Sequence, residues 1–215
     1  LHLAKRAMIQ KNNCFLVEGY TDVISFHQKE IENVVSSSGT SLTTGQIKLI
    51  KRFTNNITVL YDGDAAGIKA SFRGIDLILK EGMNVKVISF PDGEDPDSFA
   101  QKNTTTELEE FVEKNAQDFI NFKTSILLKD AGNDPIKKAG LIKEVMNSIA
   151  LIPDMIIRSV YTKEASNLLE IGEQTLINEL NKTRRDQIAK ETKYKGTNPP
   201  PESEMAPPHD ALPPD

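Results

Sequence analysis

Tryptophan is absent from this chain, cysteine occurs once and histidine three times. With Cys14 alone, neither a disulfide framework nor a zinc ribbon can be built, and His2, His27 and His209 are too scattered for metal-ligand spacing, so no zinc site is expected. Cys14 opens an apolar, strand-like run, which is the setting of a buried inert thiol rather than a nucleophile. Long apolar runs are missing too. None approaches the roughly 20 residues needed to span a bilayer, and the N-terminus has no signal-peptide core, so a cytoplasmic protein without membrane contact is expected. Nor is there an excess of positive charge. The net charge of −5 argues against strong nonspecific nucleic-acid binding by the chain as a whole. The basic residues that stand together are Lys48, Lys51 and Arg52 on one predicted helix and Lys69 and Arg73, i and i+4, on another, where a solvated face and a phosphate contact are equally well served.

What is present is organised around Val59-Leu60-Tyr61-Asp62-Gly63-Asp64-Ala65-Ala66-Gly67. Asn56 to Tyr61 is a β-branched, apolar run of strand length that stops at two aspartates separated by a glycine. Side chains two apart on an extended chain point the same way, and Gly63 permits a sharp turn into a helix, so both carboxylates can face one point. Paired carboxylates at a strand end suit magnesium, which takes oxygen ligands and is commonly shared with substrate phosphates. Helix capping by Asp62 or Asp64 is the plainer alternative.

The surrounding chain repeats this logic. A short helical stretch over 1–9 begins abruptly, which predicts a piece of a longer protein, and Cys14 to Val17 is a strand ending in Glu18-Gly19, with Asp22 one turn into the next helix. A second strand covers Asn33 to Ser36, and Gly39-Thr40-Ser41 opens a loop before Thr43, whose spacing to Gln46 is that of a capping box. Helices are predicted over 44–53 and 65–81, the latter from Ile68, Phe72, Ile75 and Leu79, with Gly82 as its C-terminal stop. The strand Val85 to Phe90 precedes Pro91-Asp92-Gly93-Glu94-Asp95-Pro96-Asp97, where an Asp-Pro turn with a helix cap competes with a metal role for Asp95 and Asp97. Alternating strands and helices predict a parallel sheet whose site lies beyond the strands' carboxyl ends. From Thr105 the pattern is helical throughout: roughly 107–114, 116–130, 135–152, 154–170 and 173–191, with Leu141, Val145, Ile149 and Ile152 as a core stripe. The stretch 196–215 is proline-rich and polar, and reads as a linker or tail.

Taken together, Glu18-Gly19-Tyr20-Thr21-Asp22, Gly39-Thr40, Asp62-Gly63-Asp64-Ala65-Ala66-Gly67 and Gly93-Glu94-Asp95-Pro96-Asp97 resemble the TOPRIM domain of bacterial replicative DNA primase, the DnaG type. The resemblance implies an α/β fold with a TOPRIM-type parallel sheet and flanking helices over 1–103, an all-helical subdomain over 104–195 and a tail over 196–215. It also implies an enzyme that makes short RNA primers on single-stranded DNA from ribonucleoside triphosphates, with Mg2+ or Mn2+. Carried over by position, Glu18, Asp62 and Asp64 are the catalytic acids, Glu18 serving as ligand or as general acid or base. Glu18, Asp22, Asp62, Asp64, Asp95 and Asp97 are the metal-site acids, and Gly39, Thr40 and Lys69 the nucleotide or nucleic-acid contacts.

The family's zinc-binding domain, its basic template-gripping half and its C-terminal helicase-binding domain find no counterpart in these residues. The chain is therefore expected to be a monomeric fragment, inactive in priming alone, with the replicative helicase reached through a missing C-terminal segment. Two other readings stay open. One is a noncatalytic TOPRIM scaffold or another TOPRIM enzyme, a nuclease or topoisomerase. The other is a haloacid-dehalogenase-type phosphatase, against which stands Ala66 where that family has threonine or valine.

Overall fold

The computed structural model describes residues 1–38, 42–62 and 65–197, without the side chains of 65–67, 69–70, 191 and 193–197. Its elements run α1 (Lys5–Lys11), β1 (Cys14–Val17), α2 (Tyr20–Gln28), β2 (Val34–Ser36), α3 (Thr44–Lys51), β3 (Asn56–Tyr61), α4 (Ala65–Lys80), β4 (Asn84–Ser89), α5 (Pro96–Lys102), α6 (Thr105–Asn115) and β5 (Gln117–Asp118). Four further helices follow: α7 (Phe119–Ala131), α8 (Pro135–Leu151), α9 (Met155–Leu169) and α10 (Glu173–Thr197). The sheet has the order β2-β1-β3-β4-β5, and every pairing is parallel except β4 with β5.

This order places β1 between β2 and β3, so the chain leaves β1 in one direction and later passes it to continue in the other. Side-chain alternation sorts the two faces. Phe15, Val17, Leu60 and Ile88 pack with Phe26, Ala100, Leu108 and Val112 on the side of α2, α5 and α6. Leu16, Val59 and Val87 face Ile47, Ile50, Ile68, Phe72 and Ile75 of α3 and α4. The crossover helices thus change face between β1 and β3, and the carboxyl ends of those two strands bound the crevice that such a switch opens.

Local signals account for most boundaries. Thr43 and Gln46 close the expected capping box on α3. After α4, Gly82 adopts φ +74° and its N–H reaches Leu79 O while Met83 N–H reaches Ile78 O, a Schellman ending that needs the left-handed conformation. Several boundaries depart from the sequence reading. Helix α6 starts earlier than expected, because Thr104 caps it reciprocally with Glu107. Residues 117–118 form β5 where a helix was expected, with Lys86 opposite Asp118 and Val87 opposite Gln117, so α7 begins only at Phe119. Helix α10 extends through Thr197, two residues into the stretch expected to be tail, and the remainder of that stretch lies outside the described residues.

The expected boundary at 103 falls between α5 and α6, yet α6 packs on the sheet and β5 belongs to it. The α3–α4 face continues without a break into Phe119, Leu141, Val145, Met146, Ile149, Leu176 and Leu180, so sheet and helical unit share one core. One buried cation joins them. Lys123 on α7, 2% exposed, donates to Ser148 Oγ at 3.0 Å, lies 3.3 Å from Glu144 and 4.0 Å from Asp76 of α4, and stands over the Phe72 ring. Among the described residues no helix is long and apolar enough to cross a membrane.

Candidate metal centre

Glu18 leaves the end of β1 exposed, and Gly19 turns the chain into α2. The Gly19 N–H donates to Asp22 Oδ2 at 2.9 Å, which folds the Asp22 side chain back over the helix start. A Cβ on Gly19 would stand 3.3 Å from that same oxygen, a tight contact that a larger residue keeps only by moving the Asp22 side chain a few tenths of an ångström, and the φ of Gly19 is an ordinary one. Asp22 is 7% exposed. On the neighbouring strand, Asp62 follows β3 and is exposed.

The third contribution comes from beyond β4. Phe90, Phe99 and Phe111 pack ring on ring and pin α5 and α6 to the strand's end. Asp95 caps α5, accepting from Ser98 N–H at 2.6 Å, while Ser98 Oγ accepts from Asp95 N–H at 3.0 Å. Pro96 occupies the first helical position, where a missing N–H costs nothing. Asp97 accepts from Gln101 Nε2 at 2.8 Å and from the hydroxyl of Ser25 on α2, which ties α5 to the helix carrying Asp22. Glu94 is drawn off: Lys102 and Ser98 bond it and hold its carboxyl below the usual range.

Electrostatics shows which acids share a site. Burial pushes the Asp22 carboxyl above its ordinary value, the Gly19 N–H pulls it back, and the negative charges of Asp62, Asp95 and Asp97 raise it further. Three carboxylates from the ends of two other strands therefore act on Asp22. Glu18 and Asp62 also open onto a cleft of about 710 Å3, with Ser37, Leu42, Tyr61, Ser71 and Arg73 in its wall. Burial raises the Tyr61 phenol, which stays neutral.

Asp64, Gly39 and Thr40 lie outside the described residues, as does the side chain of Lys69, whose backbone is in α4. Among the described residues no three Asp, Glu, His or Cys side chains are drawn close enough to hold a metal ion. The donor chemistry nevertheless fits a hard divalent cation, since these acids offer carboxylate oxygens only. Ser25 and Gln101 escaped the sequence reading. Their signals are helical spacing, Ser25 three residues after Asp22 and Gln101 four after Asp97.

Comparison with known proteins agrees with this geometry. A family model described as Toprim-like matches residues 15–100. A curated DNA primase of Clostridium acetobutylicum is 38% identical over 175 residues, covering 77% of this chain and 28% of its own length. The crystal structure of a DNA primase domain from Pseudomonas aeruginosa superposes with TM-score 0.74 at 25% identity, over 84% of this chain and 58% of that one. The chain carries the Toprim-like unit of the DnaG-type primases. A DnaG primase catalytic domain bound to single-stranded DNA superposes with TM-score 0.67 at 30% identity, over 76% of this chain and 54% of that one. The chain spans under a third of the length of the curated relative above. A second family model, described as the DnaB-helicase binding domain of primase, matches residues 120–174. That match falls on α7 to α9, where sequence reading expected packing alone and assigned the helicase contact to a missing segment.

Proposed function

We propose that this chain supplies the cation-holding part of a cytoplasmic primase active site, which joins ribonucleotides on a single-stranded DNA template. The observation that carries the reading is Asp22, an acid buried at the switch between β1 and β3, whose carboxyl is raised first by that burial and then by the charges of Asp62, Asp95 and Asp97. Glu18, Asp62 and Asp64 are the catalytic acids, and Asp22, Asp95 and Asp97 complete the set that binds or supports Mg2+ or Mn2+. A divalent cation there supplies positive charge for the attacking oxygen and the departing pyrophosphate. The chain's own residues orient and screen: the Gly19 N–H aims Asp22, Ser25 and Gln101 aim Asp97, and Ser98 fixes the turn that presents Asp95. Gly39, Thr40 and Lys69 are proposed to meet nucleotide phosphates. The metal-holding unit extends past 103 to Asp118, the end of the sheet, and the helical unit after it is the proposed contact for a replicative helicase.

Melting with and without manganese tests this reading, since a ligand that binds only the folded state raises the melting temperature. Asp62→Asn should abolish the manganese-induced rise. Asp97→Asn removes a charge at the site, and metal affinity should fall about tenfold. It should also hold or raise metal-free stability, because repulsion on Asp22 is eased. Asp95→Asn separates turn from charge, since asparagine caps about as well as aspartate. Manganese shifts unchanged in all three variants would reduce these acids to caps and turns.

A further inference from the structure

On sequence alone Arg73 suits a solvated face and a phosphate contact equally, and the acidic site makes no use of it. The cleft of about 710 Å3 onto which Glu18 and Asp62 open decides between the two, because Arg73 is part of its wall. Arg73 and Leu77 stand one turn apart on α4 and line the cleft together. Helical side chains lean toward the helix N-terminus, and α4 begins just after β3 ends, so Arg73 leans toward the strand end that carries Asp62. Among the described lining residues three are charged: Glu18 and Asp62 are negative and Arg73 is positive. Arg73 is exposed, and among the described residues no carboxylate forms an ion pair with it.

Opposite charges in one cleft limit what can occupy it. Acids at the strand ends accept a divalent cation, and that cation in turn accepts anionic oxygens. A guanidinium also takes anionic oxygens, in pairs, through its planar fork of donors. A ligand that meets both must carry anionic oxygens along its length, which a chain of phosphates does and a lone carboxylate does not. The cleft's volume lies within the roughly 300–1,000 Å3 of small-molecule sites. We propose that Arg73 is a phosphate-binding residue, holding one end of the phosphate chain of a nucleoside triphosphate while the cation on Glu18 and Asp62 holds the other. The proposal rests on the cation reading, since without a cation the phosphates meet Glu18 and Asp62 as like charges.

Calorimetric titration of the 215-residue chain with ATP and with AMP, each in excess magnesium, tests it. ATP should bind the parent more tightly than AMP does. Arg73→Ala should weaken ATP about tenfold and change AMP little, since AMP lacks the outer phosphates. Arg73→Lys keeps the charge and loses the fork, so its ATP affinity should fall between those of the parent and the alanine variant. Because Arg73 is exposed, neither change removes core packing, and a loss confined to ATP is not a loss of fold. Unchanged ATP affinity in Arg73→Ala, an equal loss for both nucleotides, or no ATP binding by the parent overturns the assignment. Melting with manganese alone reads the cation separately, and its rise should persist in Arg73→Ala. A manganese rise in the parent with ATP affinity indifferent to Arg73 overturns the phosphate contact and leaves the cation standing. ATP binding that depends on Arg73 but on neither magnesium nor Asp62 does the reverse.

Discussion

Cys14 shows how far burial alone sets a side chain's chemistry. It has no exposed surface, its Sγ–H points at Phe15 O, and burial pushes its thiol up to about 12. Because the thiolate is the reactive form, thiol reagents should modify the native chain only as fast as it opens, so labelling should track global unfolding. Rapid labelling without denaturant would contradict that burial. Lys123 is the opposite case, a charge kept inside by its partners Ser148, Glu144 and Asp76. Lys123→Ala leaves Asp76 with the Ser148 hydroxyl but without its cation, and should cost about 3 kcal/mol in urea unfolding. Combining it with Asp76→Asn should recover part of that loss, whereas strictly additive losses would mean the pair is not coupled. Sequence showed Cys14 as inert but gave no sign of Lys123, because its partners lie 21, 25 and 47 residues away and no local spacing connects them. Local pattern does place Glu18 and Asp62, which stand directly after β1 and β3 beside a glycine, whereas Asp22 lies within α2 and Asp95 and Asp97 at the start of α5.

At the level of elements, strands and helices with a strong period or cap could be read directly, as α4 and β3 were. Strand β5 could not. Two polar residues carry no strand signal, and only the open edge of β4 recruits them. Asp118 then takes three bonds, from the Ile120 and Asn121 N–H groups and from the Tyr161 hydroxyl, and links β5 to α7 and α9. Burial nevertheless dominates and raises its carboxyl above the ordinary value. A folded-state pKa above the unfolded one contributes stability that is fully present below the ordinary carboxylate range and is lost as pH rises through the raised value. Asp118→Asn keeps the cap and an acceptor for Tyr161 while removing the charge. The variant should therefore lack this part of the fall in stability that the parent shows between the ordinary carboxylate range and neutrality, measured as unfolding free energy against pH. Parallel curves would show that Asp118 ionises without penalty.

At the level of the whole molecule, two units expected from composition share one core. Phe72, Ile75 and Ile78 of α4 belong to the same cluster as Phe119, Val145 and Ile149, an association invisible to any local pattern. The described chain should accordingly unfold in a single cooperative transition, and a chain cut after Asp118 should expose that face and bind hydrophobic dyes; two separated transitions would contradict a shared core. That shared core also anchors α4 through Ile68, Phe72, Ile75 and Ile78. The most direct test is anomalous scattering from crystals of this chain soaked in manganese. A peak bounded by the carboxylates of Glu18, Asp62 and Asp64, with Asp22 behind it, is the predicted result. A fully soaked crystal with no peak between the ends of β1 and β3, or with manganese only elsewhere, would contradict the metal centre.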